Sequence, residues 1–375
     1  MDAVSASASL NKRKRCAFAI SEDSNNARIH SESQTQPRRT RQKPGGLCHI
    51  APALRGSIGA PEIPVLTTKD SRIIQRWLEE HVPSYSAPNK NSCSILGFDV
   101  ESISKPPWMP ERASLPDGPA TIQLSTPGSC LIVQLSQCGD GSALYAPSVL
   151  RDVINNRNII KVGVGIDDDA LELYRWSKKS NNSSSTKTFP RGVSSLQRNR
   201  ENNVNSSTLW EMTSRFDIGC ILPSSNASRR LGLRDLANTI LGVELEKNKK
   251  LAMSNWGLRH LSPSQICYAA RDAWVSAAIL ERLQRDNNKV FGLNALLEME
   301  FMKKQRSMKE VDERAAMRKR AKEEMKSLLK QAKEGDIAND HRYEKRMKEL
   351  AEALDIFRPD PLPSFGDDAF VLPFY

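Results

Sequence analysis

Apolar residues recur with a period along parts of this chain and not along others. Residues 1–61 are of the second kind, with Ser, Asn, Gln, Arg and Pro in no sustained order. Such a composition buries too little apolar surface to repay ordering, and a disordered region is expected there. Apolar signals begin near Ile63, and within Ser71–His81 the residues Ile74, Trp77 and Leu78 share one helical face. Ser94–Val100 (SILGFDV) reads as a buried strand. Thr121–Leu124 and Cys130–Leu135 read as two more, joined by a turn at Pro127-Gly128. A helix is expected around Pro147–Asn155, then an apolar strand within Ile159–Ile166 and a helical run over Ala170–Trp176. Helix, three close strands, helix and strand predict an α/β layer with a mixed sheet, not a doubly wound parallel one.

Residues 177–208 break the pattern, being Ser/Asn-rich and too polar to pack, and are expected to form a flexible insertion. Order resumes at Phe216–Leu222, and Leu231–Leu241 has helical spacing with Gly242 as its stop. Ser262-Pro263-Ser264-Gln265 opens a helix that runs through Leu283. Ser262 can cap, Pro263 fits the first turn and Gln265 can close the box. Residues 298–356 are charged and helix-prone; Arg318 and Lys322 interrupt the stripe of Met308, Val311, Ala315, Met325, Leu329 and Ala332. A coiled coil wants apolar residues at those two places, so a solvated helical arm is expected instead. A Pro- and aromatic-rich tail, 357–375, closes the chain. The main folded domain is thus expected over 62–297.

Charge changes the picture more than length does. The 375 residues carry a formal net charge of +11, and residues 1–60 hold ten Lys/Arg against four Asp/Glu. A basic excess concentrated in a segment with little core favours polyanionic partners, with nucleic acid first and an anionic membrane surface second. Lys12-Arg13-Lys14-Arg15 is a basic cluster of the nuclear-import type. No apolar run approaches the roughly 18 residues of a membrane helix, and the N-terminus lacks the apolar core of a secretory signal. The seven cysteines form no C-x-x-C pair and the five histidines are scattered. Neither a zinc site nor a disulfide framework is expected, and the compartment reads as reducing and intracellular.

Three groups of acids stand out. Asp99 and Glu101 lie two apart at the end of an apolar strand and so share a face. Carboxylates placed there cost stability unless a positive charge meets them, and a divalent cation is the natural candidate. Tyr268 and Asp272 lie four apart on one helix face among Ala269, Ala270 and Ala273. Asp167-Asp168-Asp169 follow a strand end and precede a helical run. Capping and the helix dipole account for at least two of those three. Taken singly, each group is also compatible with surface charge, a core contact or a capped helix.

Taken in order, strand D-x-E, strand-Gly-x-x-x-Asp and helix Y-x-x-x-D resemble the DEDD superfamily of 3′→5′ exonucleases in its tyrosine-bearing subclass. The similarity is to the Werner-syndrome-type exonuclease domain and covers roughly residues 62–297. It rests on Gly97-Phe98-Asp99-Val100-Glu101, Ala120-Thr121-Ile122-Gln123-Leu124, Lys161-Val162-Gly163-Val164-Gly165-Ile166, Ser254-Asn255-Trp256 and Tyr268-Ala269-Ala270-Arg271-Asp272-Ala273. Cys267 stands where the histidine subclass has its base, and tyrosine follows it. Two departures are visible: Ser102 occupies a position where an aromatic residue often follows the first motif, and the 177–208 segment is long.

The resemblance implies a ribonuclease H-like α/β fold and a site for two divalent ions, Mg²⁺ or Mn²⁺. Asp99 would bridge the ions, Glu101 and Asp272 would join one of them, Asp169 would act mainly through water, and Tyr268 would position the attacking water. Asp169 is chosen within its triplet by the family pattern, while Asp167 and Asp168 keep the capping role. Lys247, Lys249, Lys250 and Arg259, in the segment leading into the third motif, are candidates for the nucleic-acid backbone. The activity implied is release of 5′-mononucleotides from a 3′ end, with DNA ahead of RNA, in the nucleus. No P-loop is present, so unwinding would come from a partner such as a helicase. A ribonuclease D-like RNA exonuclease and a silent nucleic-acid-binding module are the alternatives.

Overall fold

The structure, a computed structural model, describes residues 46–49, 62–86, 93–103, 118–185, 209–221, 231–245, 248–333 and 341–356. The Lys12–Arg15 cluster, residues 186–208, Lys247 and the 357–375 tail lie outside the described residues.

Seven strands form one sheet: β1 (Gly46–His49), β2 (Glu62–Thr68), β3 (Ser94–Ser102), β4 (Pro119–Thr126), β5 (Ser129–Gln134), β6 (Ile159–Gly163) and β7 (Arg215–Asp217). Their order is β1-β2-β5-β4-β3-β6-β7. β4 runs antiparallel to β3 and β5, while β6 and β7 run parallel to β3. This mixed arrangement over β5-β4-β3-β6-β7 is that of the ribonuclease H-like fold. Local chemistry fixes much of it. Thr126 pairs with Ser129, so β4 and β5 close on the two-residue Pro127-Gly128 turn expected from sequence. The β3-to-β6 return passes through α2 (Ser148–Asn155), as a parallel pairing requires a crossover.

Helices cover both faces of the sheet. On one, α1 (Ser71–His81), α2 and α3 (Ile166–Ser185) pack Ile74, Trp77, Leu78, Leu150, Val153 and Leu173 against Leu96, Phe98, Ile122, Leu124 and Val133. On the other lies α4 (Pro263–Asp286), opened by the Ser262/Gln265 capping box. Its Val275, Ile279 and Leu280 meet Ile160, Val162 and Phe216, and its Ala269 and Ala270 meet Val65, Cys130 and Ile132. Small residues let α4 come very near the sheet. A Cβ on Gly97 would lie 2.0 Å from the Ala273 carbonyl oxygen, so only glycine fits under the helix. The Leu231–Leu241 segment is helical from Leu233, ends in a π-type turn, and stops where Gly242 turns left-handed at φ 66°. No described helix is long and apolar enough to cross a membrane.

Several expectations need correction. Gly46–His49, within the region read as disordered, pairs with Glu62–Val65 as an edge strand. β2 itself went unread because Pro64 weakens a strand signal. The start of the 177–208 segment is helix, not loop, as α3 continues to Ser185. Two of its serines, Ser177 and Ser180, bond within the helix. The Ser177 hydroxyl donates to the Tyr174 carbonyl at 2.8 Å, and Ser180 bonds the Trp176 carbonyl at 3.1 Å. Over 298–356, α5 (Met308–Lys333) and α6 (His341–Ile356) form the charged arm. It is not wholly solvated: Met308 is buried in the main core, and Asp312 receives Arg175 at 2.8 Å and Lys178 at 3.0 Å from α3. Finally, Cys267 is disulfide-bonded, against the expectation of no disulfide, while Cys93, Cys130, Cys138 and Cys220 are free thiols.

Candidate active site

Strand alternation divides β3 between two tasks. Leu96 and Phe98 enter the core under α1 to α3, so Gly97, Asp99 and Glu101 face α4. Because α4 sits directly on Gly97, Tyr268 and Asp272 on its lower turns are brought over the acids of β3. Asp169 arrives from the first turn of α3, which starts three residues after β6 ends.

The carboxylates feel one another strongly. Burial, then the charges of Asp169, Asp272 and Glu101, hold the Asp99 carboxyl well above the usual carboxylate range. Burial and the charges of Asp272, Asp169 and Glu172 push Glu101 up to about 8. Burial and Glu172, Asp168 and Asp217 push Asp169 up to about 8. Asp272 is also raised by burial, though the Arg271 guanidinium at 3.5 Å and a hydrogen bond from the Tyr268 hydroxyl offset part of it. Burial and the three facing carboxylates hold the Tyr268 hydroxyl above its ordinary value, so at neutral pH it stays a neutral O–H and not a phenolate base.

Tyr268 is framed on two sides. The Trp256 ring stands 6.0 Å away between centroids, and the Arg271 guanidinium lies over the Tyr268 ring at 5.2 Å. Trp256 is itself fixed from α4. The Gln265 side-chain amide donates to the Ser254 hydroxyl at 2.9 Å and the Asn255 carbonyl at 3.1 Å, while its oxygen caps Ser262 N–H. The sequence reading gave Gln265 only the cap. Arg271 and Glu172 were missed as members of this cluster, and position alone carried the available signal: one precedes Asp272, the other follows Asp169 by three.

All five candidates, Asp99, Glu101, Asp169, Asp272 and Tyr268, therefore meet in one place. The Asp167–Asp169 triplet separates by environment. Asp167 lies in the first turn of α3, and its Oδ1 accepts from Arg215 Nε at 2.8 Å, a guanidinium that is itself buried. Asp168 is exposed. Lys249, Lys250 and Arg259 are exposed on the segment leading into α4, where the Gln134 amide anchors the Leu258 carbonyl at 3.0 Å.

An all-oxygen donor set with surplus negative charge fits a hard divalent cation such as Mg²⁺ or Mn²⁺. As the side chains stand, no group of three or more His, Cys, Asp or Glu among the described residues is arranged to hold a metal ion.

Parts of this chain are similar to known proteins. Residues 117–288 match the family model described as 3′-5′ exonuclease. A putative 3′-5′ exonuclease of Acanthamoeba polyphaga mimivirus is 26% identical over 62% of this chain and 49% of its own length. Exonuclease 3′-5′ domain-containing protein 2 of Homo sapiens is 31% identical over 50% of this chain and 25% of its own. The bifunctional 3′-5′ exonuclease/ATP-dependent helicase of Mus musculus is 27% identical over 53% of this chain and 12% of its own. The chain thus spans at most about half the length of these relatives. The matched region spans β4 to α4, and this match, with these relatives, shows a 3′-5′ exonuclease domain there, similar to the tyrosine-bearing DEDD exonucleases.

Proposed function

We propose that this protein is a metal-dependent 3′→5′ exonuclease that hydrolyses phosphodiester bonds at a 3′ end and releases 5′-mononucleotides. The observation that carries the reading is the meeting of Asp99, Glu101, Asp169 and Asp272, from three separate elements, at one desolvated and negatively charged place. Asp99, Glu101 and Asp272 would hold the ions directly, and Asp169 mainly through water. Two bound divalent ions supply an activated water, charge neutralisation on the phosphate and stabilisation of the departing 3′-oxygen. Tyr268, held neutral and framed by Trp256 and Arg271, orients the attacking water through its hydroxyl. Lys249, Lys250 and Arg259 offer phosphate contacts at the approach, as exposed cations do for a polyanion.

DNA is the substrate we assign, on the Werner-type motif match; the import-type cluster Lys12–Arg15 supports a nuclear location, and unwinding would come from a protein partner such as a helicase. The metals act on phosphate and do not distinguish sugars. The test is the rate of mononucleotide release from matched DNA and RNA 3′-overhangs with Mg²⁺ or Mn²⁺. Faster DNA digestion, lost in Asp99→Ala, is expected. Faster RNA digestion would move the assignment to a ribonuclease D-like role, and undiminished digestion by Asp99→Ala would end the metal-site reading.

A further inference from the structure

β3 ends irregularly, since its pairing with β4 shifts register between Glu101 and Ser102. Such a bulge bends the strand and re-aims the side chain that follows. Here the Ser102 hydroxyl reaches across to α3 and donates to the Glu172 carboxylate. Ser102 follows Glu101 directly, and Glu172 lies three residues beyond Asp169, on the same helix face. The bond therefore joins the two elements that carry Glu101 and Asp169. Glu172 is also close enough for its charge to be felt by both acids.

Ser102 is one of the places where this chain departs from the Werner-type pattern, which often has an aromatic residue there. A phenyl ring packs without direction, whereas a hydroxyl holding a carboxylate fixes both distance and orientation. Removing the hydroxyl takes away the polar tie between α3 and the end of β3 and leaves the carboxylate short of a donor.

We propose that Glu172, latched by Ser102, is a positioning residue of the carboxylate site: it sets the separation of Glu101 and Asp169 and adds a fifth negative charge that strengthens the hold on a divalent cation. This rests on the reading of the four acids as metal ligands. Partners one shell out from a metal commonly change its affinity by about 10–100-fold when removed.

The experiment is calorimetric titration of the full chain with Mn²⁺, with the metal-free melting temperature recorded for every variant. Ser102→Ala keeps the charge and removes the latch, Ser102→Thr keeps the hydroxyl, and Glu172→Gln keeps the shape and removes the charge. Ser102→Ala and Glu172→Gln are expected to bind Mn²⁺ on the order of tenfold more weakly, with Ser102→Thr within about twofold of the parent. The Mn²⁺ concentration for half-maximal digestion should shift in parallel, with KM for the nucleic acid unchanged. Unaltered Mn²⁺ affinity in Ser102→Ala and Glu172→Gln, with none in Asp99→Ala, would overturn the latch alone. Parent-like binding by Asp99→Ala would overturn the ligand reading beneath it. Should Ser102→Ala lower the metal-free melting temperature, the threonine variant decides: failure to restore affinity in a folded protein also overturns the latch.

Discussion

The two faces of β3 carry opposite chemistry in consecutive residues. Leu96 and Phe98 are sealed among the side chains of α1, α2 and α3, and contribute stability by leaving water. Gly97, Asp99 and Glu101 turn to α4, where one residue has no side chain and two carry charges that burial disfavours. The apolar face offsets what the acidic face costs, and the strand is rigid enough to hold acids where solvent alone would disperse them. Stability and chemistry are therefore expected to separate residue by residue along one strand.

The sharpest break in that comparison is a pair of neighbours. Phe98→Ala should lose roughly 3–5 kcal/mol of stability, as for a large buried aromatic side chain, and lose activity only as the fold is lost. Asp99→Ala should lower digestion by at least about 10²–10³-fold. Its metal-free melting temperature should stay level or rise, since one of the repelling carboxylates is gone. Melting curves and initial rates on the same preparations check both. Equal melting losses in the two variants would remove the division between faces.

Gly97→Ala probes the seam between them. The added methyl would stand 2.0 Å from the Ala273 carbonyl oxygen, and a backbone group cannot swing aside as a side chain can. Overpacking of this kind costs about 1–3 kcal/mol. The helix that must move carries Tyr268 and Asp272, so activity should fall further than stability at a temperature where the variant is folded. Activity that tracked the folded fraction alone would show that the α4 position is not critical.

Acidity offers a third test. Glu101 and Asp169 are pushed up to about 8 in the folded protein, above their ordinary values of 4.5 and 3.8. Between those limits the metal-free folded state binds more protons than the unfolded chain, so its stability falls as pH rises through about 8. A divalent ion replaces those protons, and at 100 times its Kd adds about 2.7 kcal/mol. The shift in melting temperature on adding Mg²⁺ should thus be larger at pH 8.5 than at pH 5.5. The same shift at both values would mean that the ion does not bind these acids.

Much of this arrangement could be read without coordinates, and what could not has definite causes. Period-two alternation and i,i+4 spacing placed Asp99 with Glu101 and Tyr268 with Asp272, because those relations are local. Their meeting depends on α4 lying over Gly97, a contact between residues 176 positions apart that no local pattern reports. α3 ran on past Trp176 because Ser177 and Ser180 bond their own helix, while the same residues in solvent would look like a loop. The Asp167–Asp169 triplet was sorted by family pattern alone. Arg215, which takes Asp167, lies 48 residues away on β7.

That triplet gives the smallest and most discriminating prediction. Asp167 and Asp169 differ by two positions on one helix, yet one leans on a buried guanidinium and the other faces the acids of β3. Asp167 is about half exposed, and its pair with Arg215 is discounted for solvent accordingly. Asp167→Asn keeps an oxygen that can still accept from Arg215 Nε, so its stability loss should stay below about 1 kcal/mol and its rate near that of the parent. Asp169→Asn should leave the fold intact but weaken Mn²⁺ binding and slow digestion. A reversed outcome, with Asp167→Asn slow and Asp169→Asn active, would assign the second motif to the wrong member of the triplet. It would also weaken the latch, because Glu172 would then stand three residues beyond an acid that takes no part in the chemistry.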